Sequence, residues 1–546
     1  MSIHPRAGQP AQTSDLVNLA QLMTQYYVRE PNMRLPAQQV SFGTSGHRGS
    51  ALLGSFNETH ILAISQAIVA YRKEQGIDGP LMLGKDTHAL SEAAFATALE
   101  VFIGNGLEVH VQDDLGYTPT PVISQQIVKY NRGRSSGLAD GVVITPSHNP
   151  PQDGGFKYNP SHGGPADGEV TKTIQEYANA LIVSELMGVE VVSYEQALGS
   201  KRLRKQDWIA DYVAGLANVI DMTAIKDAKV RIAVDALGGS GADYWRAVRD
   251  YYGLDITLFN DHVDPSFSFM TLDKDGKIRM DCSSPYAMAG LVARKGDFDV
   301  AVGNDPDFDR HGIVTQAGLM NPNHYLAVAI DYLCRNRNWK QDSAVGKTLV
   351  SSGVIDRVVA GLERPLMEVP VGFKWFAEGL NHGNLVFAGE ESAGASFLDM
   401  DGQAWSTDKD GIIMCLLAAE IQARSGKSAS DYYQDLESKY GRSYYQRVDT
   451  SADEDMMDAF KQLPQKSIKL TEFAGETVTS VLTKAPGNKA LFGGLKVVTE
   501  NGWFAVRPSG TEPVYKVYAE SLKSAEHLAL IHQQAAELLT TLLKAD

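Results

Sequence analysis

Short apolar runs of strand length alternate with stretches of helical periodicity, and this alternation starts afresh three times along the chain. Residues 61–71 and 93–103 carry apolar positions at helical spacing, with strands at 81–83 and 107–111 between and after them. The second pass has a strand at 230–234, the run Gly238-Gly239-Ser240-Gly241 opening a helix, a strand at 256–259, a helix over 285–294 and a strand at 300–302. The third has a helix at 325–333, a strand at 348–351, a helix near 355–362 and a strand at 385–388. Such alternation implies βαβ units and a parallel sheet covered by helices. The last hundred residues break the pattern: isolated strands such as 504–506 and 514–519 precede a helix from 525 to about 543. Three similar α/β units and one distinct C-terminal unit follow, with no repeat at the level of letters.

Length agrees. At roughly 150 residues per domain, 546 residues suggest three to four domains, each able to bury its own core. The net charge of −16 has the wrong sign for a nucleic-acid or anionic-membrane binder. The one basic concentration, residues 201–205, reads as a solvated face or linker. Three distant cysteines, Cys282, Cys334 and Cys415, read as reduced thiols. The leader has no apolar core of signal-peptide length, and no apolar run approaches a membrane span, so a soluble cytoplasmic protein is expected.

Chemistry concentrates where strands end. Ile144 runs into Thr145-Pro146-Ser147-His148-Asn149-Pro150-Pro151, Val302 into a loop containing Asp305-Pro306-Asp307-Phe308-Asp309-Arg310, and Ala388 into Gly389-Glu390-Glu391-Ser392-Ala393-Gly394. Ligands of parallel α/β sheets sit outside the carboxyl ends of strands, so three such loops can line one cleft. In an extended segment Asp305, Asp307 and Asp309 would share a side and suit a hard cation such as Mg²⁺, though the same letters serve in a charged surface turn. An EF-hand fails, because its sixth position would be Arg310 and its twelfth Gln316. Three anions, a cation and Arg310 fit together where a phosphate is handled.

Ser147, fixed between prolines, can then carry a phosphoryl group, where alone it would read equally well as a rigid turn. On an extended chain His148 would point away from it. Countercharge is available from Arg48, Lys157 and Arg310. In the C-terminal unit Arg507, Ser509, Gly510 and Thr511 suit a phosphate clamp, and Glu390 and Ser392 suit sugar hydroxyls; an ordinary polar turn explains either set of letters taken alone. Gly346-Lys347-Thr348 lacks the upstream glycine of a Walker loop, and Gly133 to Gly137 lacks the strand a nucleophile elbow needs.

Taken in order, the stretches around Arg48, Ser147, Asp305, Glu390 and Arg507 resemble the α-D-phosphohexomutase family over roughly residues 40 to 520, and residues 371–375 and 408–411, with Lys374 and Lys409, resemble its phosphoglucomutase branch. The resemblance implies α/β architecture in four domains, three similar mixed α/β sheet domains plus a distinct C-terminal α+β domain around a central cleft. Expected boundaries are a leader over 1–38 and domains over 39–205, 206–322, 323–443 and 444–546. It further implies interconversion of α-D-glucose 1-phosphate and glucose 6-phosphate through a phosphoserine and a glucose 1,6-bisphosphate intermediate, with phosphomannomutase as the alternative. By the same resemblance Ser147, Asp305, Asp307 and Asp309 hold Mg²⁺. Ser147 is the catalytic group, His148 and Lys157 are candidates for proton transfer, and Arg48 lies near the phosphate. Arg310, Lys374, Glu390, Ser392, Lys409, Arg507, Ser509, Gly510 and Thr511 bind the sugar phosphate. The chain departs from frequent family letters at Pro146 and Ala393. Rival readings are an aspartate-nucleophile phosphotransferase using Asp305 and a non-catalytic sugar-phosphate binder.

Overall fold

The computed structural model describes residues 3–43, 46–453, 456, 459–460, 468–508 and 514–542. Its first three units each build a sheet with a parallel centre and an antiparallel return. In spatial order the first sheet runs Phe42–Gly43, Gly46–Ser50, Asp153–Asn159, Asp140–Ile144, Leu81–Lys85, Val109–Gln112, Leu203–Gln206. Its last four strands are parallel neighbours, whereas Asp153–Asn159 returns antiparallel beside Asp140–Ile144. In the second sheet Val300–Gly303 lies parallel to Ile232–Asp235, and Gly312–Thr315 returns antiparallel. In the third, Leu385–Glu390 lies parallel to Ala344–Thr348, and Gly394–Phe397 returns antiparallel. The sheets are therefore mixed, as the family resemblance implies, where the alternation alone pointed to a parallel sheet. An antiparallel return needs only a tight loop, while a parallel one needs a crossover of a dozen or more residues. That topology places residues 145–152, 304–311 and 391–393 at the same point of each sheet, beyond the carboxyl end of its last parallel strand. The repeat absent from the letters is present in the topology.

The C-terminal unit is different. Its sheet pairs Tyr444–Ser451, Val514–Ser521, Gly502–Pro508, Leu491–Thr499 and Glu476–Lys484 antiparallel throughout, with the helix Ala525–Leu542 packed on it. Leu81–Lys85, Asp140–Ile144 and Leu385–Glu390 are buried at every position, so they carry no alternation of apolar and polar letters.

Several expectations shift. The helix anticipated over 285–294 shrinks to Ala289–Val292. The strand placed at 348–351 is Ala344–Thr348, because Ser351 N–H turns back to the Thr348 carbonyl and Ser352 caps the helix Gly353–Gly361. Residues 201–205 are no free linker: Leu203–Gln206 is the edge strand of the first sheet, with Arg204 and Lys205 exposed. The units do not keep separate cores either. One buried apolar cluster runs from Met82 and Ile123 of the first through Trp208, Trp245 and Phe308 of the second to Trp405 and Leu436 of the third. The C-terminal sheet has its own core and meets the third unit through Leu349, Val350, Trp503 and Tyr518.

The leader, for which disorder and docking on the first domain were both open, is a strap. Gly8 N–H donates to the Leu272 carbonyl (2.7 Å) and Leu272 N–H to the Gln9 carbonyl (2.9 Å), tying it to the second unit. Its helix Leu19–Val28 buries Leu22 and Tyr26 completely against the first unit, where the Tyr26 hydroxyl meets Thr97 Oγ1 at 3.0 Å. No helix among the described residues is long and apolar enough to cross a membrane, and all three cysteines are free thiols.

Candidate active site

Ser147 lies at the first of these strand ends, 1% exposed, with φ at 61°. That left-handed backbone, unfavourable for a residue with a side chain, turns its Oγ into the protein, where it donates to Asp305 Oδ2 at 2.7 Å. The same twist brings His148 Nδ1 to 3.3 Å from Ser147 Oγ. The expectation that His148 points away is thereby corrected, since it assumed an extended chain.

The three aspartates also converge for a reason other than the one anticipated. The loop 304–311 turns at 306–308 and is not an extended segment: Phe308 N–H donates to the Asp305 carbonyl at 2.9 Å and Phe308 takes φ 61°. One carboxylate oxygen from each of Asp305, Asp307 and Asp309 falls within 4.8 Å of the others, all buried. Lys157, on the returning strand Asp153–Asn159, donates to Asp307 Oδ2 at 2.6 Å and to Asp309 Oδ2 at 3.3 Å. Lys409 Nζ reaches Asp309 Oδ2 at 3.1 Å from the third unit. Two backbone bonds lock that contact, His311 N–H to the Ala393 carbonyl (3.0 Å) and Gly411 N–H to the Phe308 carbonyl (2.9 Å).

The electrostatics suit a cation site. Burial, then Asp307 and Asp309, push the Asp305 carboxyl well above the ordinary range. Burial would raise Asp309 too, but Lys409, Lys157 and Arg310 hold it well below. Asp307 Oδ1 and Asp309 Oδ1 are buried with no hydrogen-bond partner among the described residues. Three buried carboxylates with two orphaned oxygens fit a hard divalent ion bound through oxygen. Burial lowers Lys157 but the paired carboxylates outweigh it and keep the ammonium charged. Burial, then Arg310, drives His148 well below its usual range, so its imidazole is neutral. Arg48 NH1 donates to Asn149 Oδ1 at 3.3 Å, and burial followed by Arg310 lowers its guanidinium. Burial opposes the charge on Arg310 as well, yet Asp281, Asp305 and Asp309 raise it above the usual value.

The opposite wall comes from the third unit. Glu390 is 6% exposed, accepts the Gly372 N–H at 2.9 Å and is pushed by burial up to about 7. Lys409 lies 5.5 Å from the Phe373 ring centroid, and Lys374, lowered by burial, lies 5.1 Å from that of Trp375. Ser392 is half-buried beside them. Arg507 and Arg447 of the C-terminal sheet share with Glu391 an electrostatic influence on Tyr518, so that sheet faces the third loop. Ser509, Gly510 and Thr511 lie outside the described residues. Of the anticipated groups, the structure gathers Ser147, His148, Lys157, the aspartates, Arg310, Lys409, Glu390 and Arg48 around one centre. Sequence reading missed Thr120, which caps the aspartate loop from the first unit: its N–H donates to the Asp307 carbonyl (2.9 Å) and its hydroxyl to Asp307 Oδ2 (2.7 Å).

Four family profiles match in order. They are the phosphoglucomutase/phosphomannomutase alpha/beta/alpha domain I over residues 39–182, domain II over 210–318, domain III over 321–440 and the C-terminal domain over 468–538. The chain belongs to the phosphoglucomutase/phosphomannomutase family. It is 56% identical to a phosphoglucomutase of Komagataeibacter xylinus, covering 99% of this chain and 98% of that one. A phosphoglucomutase/phosphomannomutase of Thermococcus kodakarensis is 26% identical over 92% of this chain and 99% of its own. Among solved structures, the open form of the Paramecium phosphoprotein pp63/parafusin shares the fold with a TM-score of 0.72 at 20% identity, covering 94% of this chain and 96% of that one. Membership accounts for the shared position of the three loops, each supplied by its own alpha/beta/alpha domain.

Proposed function

We propose that the chain interconverts α-D-glucose 1-phosphate and glucose 6-phosphate by way of glucose 1,6-bisphosphate, with Ser147 as the phosphoryl carrier. The observation that carries this reading is the 2.7 Å bond from Ser147 Oγ to Asp305, inside a carboxylate cluster held by Lys157 and Lys409. A serine hydroxyl so placed has its reacting oxygen beside the ion site that phosphoryl transfer requires.

Asp305, Asp307 and Asp309, with the serine oxygen, would hold Mg²⁺, which when bound offsets charge on the transferring group. The chain's own residues account for the rest. A free sugar hydroxyl attacks phosphorus, the bond from phosphorus to Ser147 Oγ breaks, and the sugar now carries two phosphates. The intermediate turns end for end and its other phosphoryl returns to Ser147. His148, neutral and 3.3 Å from Ser147 Oγ, suits the role of proton acceptor, and the charged Lys157 that of donor. Arg48 and Arg310 supply countercharge to the phosphoserine. Glu390 and Ser392 receive the sugar hydroxyls, with Lys374 and Lys409 flanking them. Arg507, with Ser509, Gly510 and Thr511, takes the phosphate that is not being transferred. The division of the chain at 38, 205, 322 and 443 and a cytoplasmic setting, consistent with three free thiols, belong to the same reading.

Intact-mass measurement tests it. Incubation with the bisphosphate should add about 80 Da, the mass of one phosphate group, and Ser147→Ala should abolish both the gain and turnover. An active Ser147→Ala would point to a different nucleophile. Assaying glucose and mannose 1-phosphates side by side separates the phosphomannomutase reading: equal or greater turnover of the mannose compound would favour it.

A further inference from the structure

The loop that carries Ser147 is held at both ends by a buried network centred on Asp86 and His88, outside the reacting group. Both lie just past the strand Leu81–Lys85, the neighbour of Asp140–Ile144, and both are at most 1% exposed. Asp86 N–H donates to the Ile144 carbonyl at 3.0 Å, so the two strand ends are joined directly. Asp86 Oδ1 accepts from His88 N–H (3.0 Å) and from Ser91 Oγ (2.6 Å). Its Oδ2 accepts from Thr145 Oγ1 (2.6 Å) and meets His88 Nδ1 at 2.9 Å. Thr145 Oγ1 in turn accepts the Ser147 N–H at 2.8 Å. On the far side of the serine, His88 Nε2 lies 3.0 Å from the Asn149 carbonyl. The Phe267 ring from the second unit covers the imidazole, with centroids 5.0 Å apart.

Resting on the function proposed above, we propose that Asp86, His88 and Thr145 are positioning residues that hold Ser147 in its left-handed backbone conformation and so keep its Oγ on the metal cluster. The physical need is plain. A serine at φ 61° disfavours that conformation by itself, and such strain persists only where surroundings over-determine it. Three fixed points do so here: the Ser147 amide bound to Thr145, the Thr145 hydroxyl bound to Asp86, and the Asn149 carbonyl bound to His88. With a carbonyl at Nε2 and a carboxylate at Nδ1, the imidazole donates at both nitrogens; burial opposes its charge, but Asp86 and the Asn149 carbonyl outweigh burial and leave His88 above its usual range. A doubly donating His88 beside an ionised Asp86 is a buried, fully satisfied pair, and such a pair is rigid. If the Thr145 relay is cut, Ser147 is free to relax toward ordinary backbone angles, and the fraction of molecules with Oγ beside Asp305 falls. The loss lands on the chemical step and not on sugar binding, because none of the three residues lines the wall that holds the sugar.

The test compares Thr145→Val, which keeps the shape and removes the hydroxyl, with Thr145→Ser, which keeps the hydroxyl. For each, kcat, KM and the rate of phosphate loading from glucose 1,6-bisphosphate are measured, the last by intact mass. Thr145→Val should lose about tenfold or more in kcat and in loading rate with KM within about twofold, as expected of misplacement at a reacting centre. Thr145→Ser should recover most of it. His88→Asn, whose amide is too short to span Asp86 and the Asn149 carbonyl, should behave like Thr145→Val and serves if that variant melts. Unchanged kcat in Thr145→Val, equal losses in the Val and Ser variants, or a change confined to KM would each overturn the proposal. A parent protein that never loads phosphate would instead sink the functional reading on which it rests.

Discussion

Glu390 offers a sharp quantitative test, because its carboxyl is buried at the end of a strand with little to neutralise it. Among the described residues only the Gly372 N–H is bonded to it, and Lys409, the cation that most opposes its protonation, is committed to Asp309 and Asp408 at 3.1 and 3.3 Å. Burial therefore dominates, and the group titrates at about 7 where 4.5 is usual. The sign follows from linkage. Below pH 4.5 the carboxyl is neutral in both folded and unfolded chains and costs nothing. Between 4.5 and 7 the unfolded chain ionises while the fold retains its proton, so stability falls with rising pH, and above 7 the loss is complete. About two and a half pH units at about 1.4 kcal/mol each give roughly 3 kcal/mol. Glu390→Gln keeps an acceptor for Gly372 and removes the charge. It should match the parent near pH 4.5 and exceed it by about 3 kcal/mol at pH 8. Urea unfolding across that range, followed through the first transition because a four-domain chain is not two-state, reads the difference. The same variant should bind sugar phosphate more weakly, since a charged acceptor is lost. A stability gap that is absent, or constant from pH 5 to 8, would show that Glu390 is solvated or paired in the resting fold and would refute the reasoning.

Three other substitutions probe how the site is held. Gly155→Ala would place a Cβ 2.0 Å from the Thr145 carbonyl oxygen and 2.7 Å from Pro146 Cα, both backbone, so activity should fall at least tenfold with a lower melting temperature; normal kcat would mean the strand return yields freely. Glu520 is fully buried and accepts from Ser352 Oγ, Gly353 N–H, Ser443 Oγ and Trp503 Nε1, binding the C-terminal sheet to the third unit. Glu520→Ala orphans those donors at about 3 kcal/mol or more, and calorimetry should show the C-terminal unit melting earlier; an unchanged thermogram counts against that docking. Leu22→Ala removes a fully buried leader side chain and should cost about 2–5 kcal/mol. No loss of stability would mean the strap is undocked in solution.

Legibility varied with how local the cause was. Ser147, Asp305, Asp307 and Asp309 were readable because each ends or follows a strand, and strand ends of α/β sheets carry ligands whatever the rest of the chain does. Asp86 and His88 obey the same rule after Leu81–Lys85 and could have been found by it. Thr120 gave no local signal, since its partner Asp307 is distant in sequence and in another unit. The error over His148 came from assuming extended backbone at Ser147, where only the surrounding network makes the left-handed turn affordable.

The letters by themselves determined the succession of strands and helices, the three strand-end loops, the kinds of reactive group on them and a family resemblance, because those depend on periodicity and residue chemistry within short windows. The tertiary structure alone decided that each sheet returns antiparallel, so that the three loops occupy one topological position. It also decided that the aspartates meet through a turn, that Lys157 reaches them from a strand and Lys409 from a loop elsewhere in the chain, and that the leader straps two units together. Apart from the aspartate turn, which is local, those features arise from contacts between residues far apart in the chain, and a one-dimensional pattern holds no record of such contacts until packing fixes them.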